Sequence, residues 1–178
     1  FTDCVEYFTG GSNDKLLEEY IGKLYEFSMS YPWPEEWIYG CMGDYKISDV
    51  AELEGTMWCQ YLVTHIQTII GECESHIEEA IHVAERPDGP YMYGEMLEKE
   101  REMLDRILGL ASFQAYYEAF GKISFGRLST KKDDSVNPAC RERVKNLRVK
   151  IKKQLETVRN SLLSLSPEQV VDRMKNIL

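Results

Sequence analysis

Apolar residues recur three and four positions apart along most of the chain, which is the spacing of amphipathic helices. The pattern predicts helices over about 12–30, 48–85, 93–110, 113–122, 137–160 and 167–178, with a short helix that opens at Pro34. No stretch alternates between apolar and polar residues as a half-buried strand does. The sequence therefore predicts an all-α fold, an irregular bundle of six or seven helices with one long central helix.

Turn and capping residues mark where these helices begin and end. The expected N-caps are Ser12 or Asn13, Ser48, Ser112, Asn137 and Ser166. The Arg-Pro-Asp-Gly-Pro run at 86–90 ends the longest helix. Its 38 residues would extend roughly 57 Å, so we expect either a long spine or a bend near Gly55 or Gly71.

Large aromatic and acidic side chains can be assigned to buried or exposed positions by type and spacing. Trp33 and Trp37 follow the first helix, and we expect them to fold back onto it as core anchors. In the helix over 93–110 the acidic residues are expected to point mostly outward, and they are Glu95, Glu98, Glu100, Glu102 and Asp105.

At 178 residues, with 43% hydrophobic and 29% charged residues, the chain has the composition of a soluble globular domain with its own core. We expect residues 1–178 to form a single helical domain. The chain begins at Phe1 and not at Met, which suggests an internal piece of a larger polypeptide.

The cysteines indicate a reducing environment. There are five, at 4, 41, 59, 73 and 140, an odd number without a C-x-x-C pair. We expect free thiols, and we expect Cys59 and Cys73 to be buried apolar groups, not nucleophiles. The sequence contains neither a signal peptide nor an apolar run of about 18 residues, so it predicts a cytoplasmic location and no membrane partner.

Positive charge is concentrated in the stretch from Asn137 to Asn160. That stretch holds eight Lys or Arg and two acids, a balance of +6 in a chain whose total is −9, so the remaining residues sum to −15. A negative total disfavours a free-standing nucleic-acid-binding protein, because distant repulsion slows the approach to DNA. A local basic edge can still hold phosphate, since the screening length at physiological salt is roughly 8 Å.

The basic stretch is predicted to be one helix with two distinct sides. Its buried stripe is expected to be Val144, Leu147, Ile151, Leu155, Val158 and Leu162. About a third of a turn away lie the five cations Arg141, Lys145, Arg148, Lys152 and Arg159. They span 18 residues, or roughly 27 Å of helix, a length that can follow several phosphates of a duplex. The preceding loop adds Arg127, Lys131 and Lys132, so the basic loop and helix cover 122–160.

Two interpretations of this edge remain open. It either contacts nucleic-acid backbone without sequence specificity, or it is a solvated or protein-docking face that pairs with acidic residues of the same chain or of a partner. Readout of base edges is not expected, because the sequence has no helix-turn-helix, no zinc finger and no Asn or Gln cluster at a helix start.

Catalytic patterns are missing from the sequence. The Gly-Lys pairs at Gly22 and Gly121 lack the other residues of a phosphate-binding loop. The tripeptide Asp44-Tyr45-Lys46 resembles part of a nuclease site, but it lies in a short predicted loop without further carboxylates. All three histidines fall on one predicted helix, which argues against a di-iron carboxylate site. We therefore expect no catalytic residue, no metal ligand and no cofactor in this piece.

Several short motifs resemble those of the AddAB-type ATP-dependent helicase/nuclease family, in its AddA subunit. They are KLYEFSMSYPWPEEWI at 23–38, Asp88-Gly89-Pro90, Arg127-Leu128, Lys131-Lys132, Leu147-Arg148 and KKQL at 152–155. The resemblance covers nearly the whole chain, and the tryptophan-anchored motif is its most specific part.

The resemblance implies a helical insertion, of the type called 1B, in the first motor domain of a superfamily 1 helicase. Such a segment lies near the DNA, commonly against the duplex ahead of the fork. The family acts in double-strand-break repair with ATP and Mg²⁺, and with a partner helicase/nuclease subunit, AddB. Its ATP site, helicase motifs and nuclease domain would lie outside residues 1–178.

Overall fold

The computed structural model describes residues 15–43 and 45–177, which form eight α-helices and no β-strand. The helices are α1 (Lys15–Ser28), α2 (Pro34–Gly43), α3 (Val50–Gly55), α4 (Met57–Ala84), α5 (Gly94–Leu108), α6 (Phe113–Phe120), α7 (Pro138–Thr157) and α8 (Pro167–Ile177). A 3₁₀ turn at Tyr91–Tyr93 precedes α5, and a π-helical turn at Val158–Leu162 extends α7. The all-α prediction is confirmed. The expected cap at Ser12 or Asn13 lies outside the described residues, as do Cys4 and Asp44.

The predicted long helix is bent next to Gly55. Thr56 leaves the helical conformation at φ −71° and ψ 144°, and it separates α3 from α4. Its hydroxyl group donates to the Leu53 carbonyl oxygen at 2.7 Å and accepts from the Cys59 N–H at 3.3 Å, so one side chain closes α3 and opens α4. Counted as one bent helix, α3 and α4 bring the described residues to seven helices, within the predicted number.

The predicted helix caps are confirmed in three of the four described cases. Side-chain oxygens of Asn137, Ser112 and Ser166 accept first-turn N–H groups at 2.9, 3.2 and 3.2 Å. Ser48 does not cap α3, because the neighbouring Asp49 carboxylate accepts the first-turn N–H at 2.8 Å. The carboxylate takes this position because it satisfies the donor and also interacts favourably with the positive end of the helix.

The core forms where α5 and α7 pack on either side of α4. Val144, Leu147, Ile151, Leu155 and Val158 are buried as predicted, and Leu162 at the end of the stripe is half-buried. They meet the apolar faces of α4 and α5, which include Ile66, Ile70, Ile77, Leu97 and Leu104. Burying apolar side chains of this size is the main stabilising term in such a bundle.

A second junction joins the ends of three short helices. α8 packs on α3 and α6, and the Glu54 carboxylate of α3 accepts the N–H groups of Phe113 and Gln114 at 3.1 and 2.8 Å. This places an anionic group at the N-terminus of α6, where the free N–H groups favour negative charge.

The tryptophans that follow α1 behave differently from each other. Trp37 stacks on Tyr31 with ring centroids 4.9 Å apart and meets Phe27 edge-on at 5.3 Å, so the predicted return onto α1 is confirmed for this ring. Trp33 is 70% exposed, and the prediction that it is a core anchor is wrong. Among the described residues, α1 and α2 pack on each other and form no extensive interface with the helices that follow, so those helices offer no core for Trp33 to enter.

Three of the four described cysteines are buried free thiols, and Cys41 is exposed. Burial raises the pKa of Cys59 to about 11 and that of Cys73 to about 12. A thiol with such a pKa is almost entirely protonated at neutral pH, so these groups are poor nucleophiles, as predicted.

The turn after α4 requires a glycine at position 89. A Cβ there would overlap the Val83 carbonyl oxygen and lie 2.7 Å from that of Ala84, and backbone atoms cannot move aside cheaply. We expect Gly89→Ala to lower the free energy of unfolding by about 1–3 kcal/mol, measured by urea denaturation. Gly71→Ala is the matched control. A Cβ at Gly71 meets no atom within 4 Å, so this change within α4 should raise stability by about 0.5–1 kcal/mol. Equal effects of the two changes would contradict this account.

Candidate nucleic-acid interface

The segment between α6 and α7 is a loop over 121–137 that lies antiparallel along one edge of α7. Three arginines of the predicted basic edge donate hydrogen bonds to backbone carbonyl oxygens of this segment or of Phe120, the residue just before it. The pairs are Arg159 with Phe120, Arg148 with Gly126 at 2.9 Å, and Arg141 with Lys131 at 3.2 Å. The acceptor positions rise in the order 120, 126 and 131, while their donors fall in the order 159, 148 and 141. The loop therefore runs antiparallel to α7.

Arg148 is a buried structural residue. Its Nε donates to Glu100 Oε2 at 2.8 Å, its Nη2 pairs with Oε1 of the same carboxylate, and the two side chains are 7% and 3% exposed. Nη2 also donates to the Gly126 carbonyl oxygen. The guanidinium group therefore ties α7 to α5 and to the loop at one point. The prediction that Arg148 lies on an open cationic edge is wrong, because its charge is neutralised inside the protein.

Arg141 and Arg159 lie at the two ends of the same edge, and both also bind the backbone. Arg141 is half-buried, and Arg159 is exposed but donates to the carbonyl oxygen of the last residue of α6. Carbonyl groups at the end of a helix lack partners within the helix, so a cationic donor is favourable there. Both arginines hold the loop and are only partly available to a ligand.

The two lysines of the edge remain at the surface. Lys152 is exposed, and its Nζ lies 5.1 Å from the centre of the Phe125 ring, a cation–π contact that leaves the ammonium group in solvent. Lys145 is exposed, and no carboxylate in the described parts of the chain forms an ion pair with it.

A hydrogen-bond chain orders the far end of the loop. Lys131 Nζ donates to the Tyr91 hydroxyl group at 2.9 Å, and that hydroxyl donates to Asp133 Oδ2 at 2.8 Å. The Ser135 hydroxyl and N–H groups donate to Asp133 Oδ1 at 2.6 and 3.0 Å. These bonds, those from Ser135 first, lower the pKa of Asp133 to about 2, so it is charged at neutral pH.

Five exposed cations form what we call the loop-side cationic patch: Arg127, Lys131, Lys132, Lys145 and Lys152. Within residues 15–43 and 45–177, no carboxylate forms an ion pair with any of them. The patch is smaller than the predicted edge of eight cations, and its position is set by the loop as much as by α7. Its four lysines carry compact charges on flexible stems, and such groups suit phosphate oxygens.

The opposite edge of α7 faces acidic residues of α4. Arg143 forms an ion pair with Glu79, and Gln154 donates to Glu72 at 2.8 Å. The alternative interpretation, in which basic residues pair with acidic helices of the same chain, thus holds for Arg143 and Arg148. Within the described residues, no such ion pair involves a member of the patch.

Sequence reasoning missed the residues that hold the patch in place. Glu100 was assigned outward and is 2% exposed, because its carboxylate receives Arg148. Gly126 sits so close to the Met96 side chain that a Cβ would overlap its sulfur atom. The Asp88-Gly89-Pro90 motif was a usable signal, since the Asp88 carbonyl and carboxylate oxygens accept from Asn137, at 2.9 and 3.1 Å, at the start of α7.

The described residues contain neither of two other kinds of functional feature, a metal site and a membrane-spanning helix. Over the described ranges, no three His, Cys, Asp or Glu side chains are grouped so that they could hold a metal ion. None of the helices in those ranges combines the length and the apolar character that crossing a bilayer requires.

The Arg148–Glu100 pair leads to a prediction about stability and loop order. Arg148→Met leaves a buried carboxylate without a partner, and we expect the free energy of unfolding to fall by about 3–5 kcal/mol in urea denaturation. Arg143→Met breaks only an exposed pair and should cost less than about 1 kcal/mol.

A double change separates the two roles of Arg148. Glu100→Leu combined with Arg148→Met removes both charges and should recover most of the lost stability. The Gly126 carbonyl still loses its donor, so limited trypsin digestion should cleave after Arg127 faster than in the unchanged chain. Unchanged cleavage in the double variant would show that Arg148 does not hold the loop.

No protein-family model matches the chain. Three bacterial relatives, each named as the AddA subunit of an ATP-dependent helicase/nuclease, match it almost from end to end. The protein of Lachnoclostridium phytofermentans is 30% identical over an alignment of 182 positions, which covers 99% of this chain and 13% of that protein. The protein of Geobacillus kaustophilus is 29% identical over 179 aligned positions, which cover 99% of this chain and 14% of that protein. The protein of Clostridium perfringens strain SM101 is 32% identical over 183 aligned positions, and the coverage is again 99% of this chain and 14% of that protein.

The chain therefore spans only 13–14% of the length of these relatives, and it matches one continuous part of them. The matched part includes α7, the loop and the tryptophan-anchored motif, because it covers 99% of the chain. The resemblance inferred from the sequence is confirmed: this chain is homologous to one segment of the AddA subunits of ATP-dependent helicase/nucleases.

Proposed function

We propose that this chain is a non-catalytic helical segment of an ATP-dependent DNA helicase/nuclease, and that it contacts the DNA backbone through the loop-side cationic patch. The observation that carries the proposal is the division of the basic residues into two groups. Arg148 is neutralised by Glu100, while the five cations of the patch are exposed and form no direct ion pair with a carboxylate of the described residues. Of the five, Lys131 is linked to a carboxylate, that of Asp133, through the Tyr91 hydroxyl group. The class of enzyme in this proposal, an ATP-dependent helicase/nuclease, is taken from the names of the relatives.

The chemistry of the patch favours phosphate over bases. Four of its five members are lysines, whose ammonium groups act as mobile point charges, and none is positioned by a partner as a planar, bidentate reader of guanine. Contacts of this kind position a protein on DNA and carry no sequence information. The acidic remainder of the chain is screened beyond roughly 8 Å at physiological salt, so binding is expected to be weak and local.

Catalysis in this proposal belongs to other parts of the polypeptide. The matched segment makes up only 13–14% of each relative, and the name of those proteins includes both a helicase and a nuclease activity. The parent enzyme would use ATP and Mg²⁺ outside this segment, work with the AddB partner subunit, which would complete the helicase/nuclease, and act in double-strand-break repair.

A second function is favoured by one observation. The basic helix already binds carboxylates of its own chain, through Arg143 with Glu79 and Arg148 with Glu100. In this alternative the patch docks an acidic surface on a neighbouring domain or on the partner subunit.

A charge-reversal variant tests the DNA contact. Arg127→Glu, Lys145→Glu and Lys152→Glu together should weaken binding of a short duplex about tenfold or more at low salt. The slope of log affinity against log salt should fall by about 0.9 for each phosphate that is no longer neutralised, and the effect should be the same for unrelated base sequences. Fluorescence anisotropy across a salt series measures both quantities.

The matched control reverses three exposed lysines elsewhere: Lys23, Lys46 and Lys175. It changes the net charge by the same amount, so it corrects for long-range repulsion. If both variants lost affinity equally, the patch would not be the contact surface. If the patch variant kept its DNA affinity but no longer associated with AddB, the docking alternative would be correct.

A further inference from the structure

The hairpin formed by α1 and α2 exposes an unusual amount of apolar surface. Nine of the fifteen large apolar side chains that are strongly exposed in the described chain lie between positions 20 and 39. Trp33 and Tyr39 are 70% and 71% exposed, and Tyr25, Ile21 and Phe27 are between 55% and 63% exposed. Single exposed apolar residues are common, but a contiguous group of this kind marks an interaction surface.

The hairpin does not bury this surface by itself. α2 contains no buried residue, and among the described side chains of α1 the buried one is Ser28. The ring cluster of Phe27, Tyr31 and Trp37 joins the two helices but leaves its outer faces in solvent. A pair of helices of 14 and 10 residues is marginal in water without tertiary packing, because nucleating a helix is costly. The hairpin is therefore incomplete without a covering surface.

Charge restricts what can cover it. The hairpin carries five glutamates and two lysines, a balance of −3: Glu18, Glu19, Glu26, Glu35, Glu36, Lys15 and Lys23. This charge disfavours nucleic acid, and it disfavours a second copy of the same face, since like charges would be brought together. It favours a protein surface with an apolar centre and basic residues around it.

The relatives show that the segment matching this chain is joined to a much larger polypeptide. They match this chain over 99% of its length, yet the match occupies only 13–14% of each relative. In those proteins any face of the polypeptide that reaches the counterpart of the hairpin is present at a very high effective concentration, which favours a covering surface from the same chain over a separate partner.

We propose that the apolar face of the α1–α2 hairpin is a docking surface for a basic-rimmed apolar face of another domain in the same polypeptide. The hairpin thereby anchors this helical segment to the rest of the enzyme, on a surface separate from the loop-side cationic patch. The proposal rests on the proposed function only in taking the chain to be a segment of such a polypeptide.

The test compares the hairpin in two settings. One is the 178-residue chain, and the other is the Clostridium perfringens AddA protein with its matching segment replaced by this chain. Trp33→Cys and Tyr39→Cys are made separately after Cys4 and Cys41 are changed to serine, and maleimide labelling is followed by peptide mass spectrometry. The control is Tyr61→Cys on α4, which is 68% exposed and lies outside the hairpin.

We expect labelling at 33 and 39 to be about tenfold slower or more in the chimaera than in the isolated chain, and labelling at 61 to be unchanged. Changing Glu18, Glu26 and Glu35 to lysine in the chimaera should restore fast labelling at 33 and 39.

Two labelling results would overturn the proposal. One is equal labelling of the hairpin in both settings, and the other is protection in the isolated chain that grows with concentration, which would identify a second copy as the occupant. If the chimaera does not fold, amide hydrogen exchange of the matching segment in the unmodified relative replaces it, and exchange as fast as in the isolated chain also overturns the proposal. DNA affinity is measured on the same proteins, so failure of the cationic patch is distinguished from failure of the hairpin.

Discussion

The buried ion pair between Arg148 and Glu100 fixes the geometry on which the candidate interface depends. Removing two charges from water is costly, and their attraction offsets that cost only when the pair is well aligned and further hydrogen bonds are made. Here the guanidinium group meets both carboxylate oxygens and also donates to the Gly126 carbonyl oxygen. The pair is therefore better understood as a constraint on register than as a large source of stability. It holds α5, α7 and the loop in one relative position, and this loop carries the exposed residues Arg127 and Lys132.

The sequence predicted the helices well because their signals are local. The stripe from Val144 to Val158, the caps at Asn137 and Ser112 and the bend beside Gly55 all depend on residues within one or two turns. The placement of Arg148 depends instead on a residue 48 positions away in another helix. Both partners were assigned to the surface because charged residues usually lie there. In a buried pair of opposite charges, each charge is neutralised by the other. The spacing of apolar residues along the sequence does not predict such a pair.

The hairpin of α1 and α2 contains the opposite error, a side chain that was predicted to be buried and is exposed. The sequence predicted the turn after α1 correctly, because Pro32 and Pro34 disfavour a helical conformation at the residues before them. It assigned the rings of Trp33 and Trp37 to a core because large aromatic side chains are usually buried. Trp37 packs against the rings of Phe27 and Tyr31. Trp33 is exposed, and it belongs to a hairpin whose described residues make few contacts with the bundle. Burial is a property of the complete assembly, so the pattern can predict an apolar surface without saying which surface covers it.

The division of labour between arginine and lysine on α7 follows from their side-chain chemistry. Arg141, Arg148 and Arg159 each donate to a backbone carbonyl oxygen of the adjacent segment, because a planar guanidinium group can serve several fixed acceptors at once. Lys145 and Lys152 carry compact charges on flexible stems, and they remain in solvent where phosphates of any sequence could reach them. The residues outside 137–160 sum to −15, and this balance disfavours a broad positive surface on this chain. The loop that these arginines hold and the lysines of α7 therefore form a local positive surface on a chain that is acidic elsewhere.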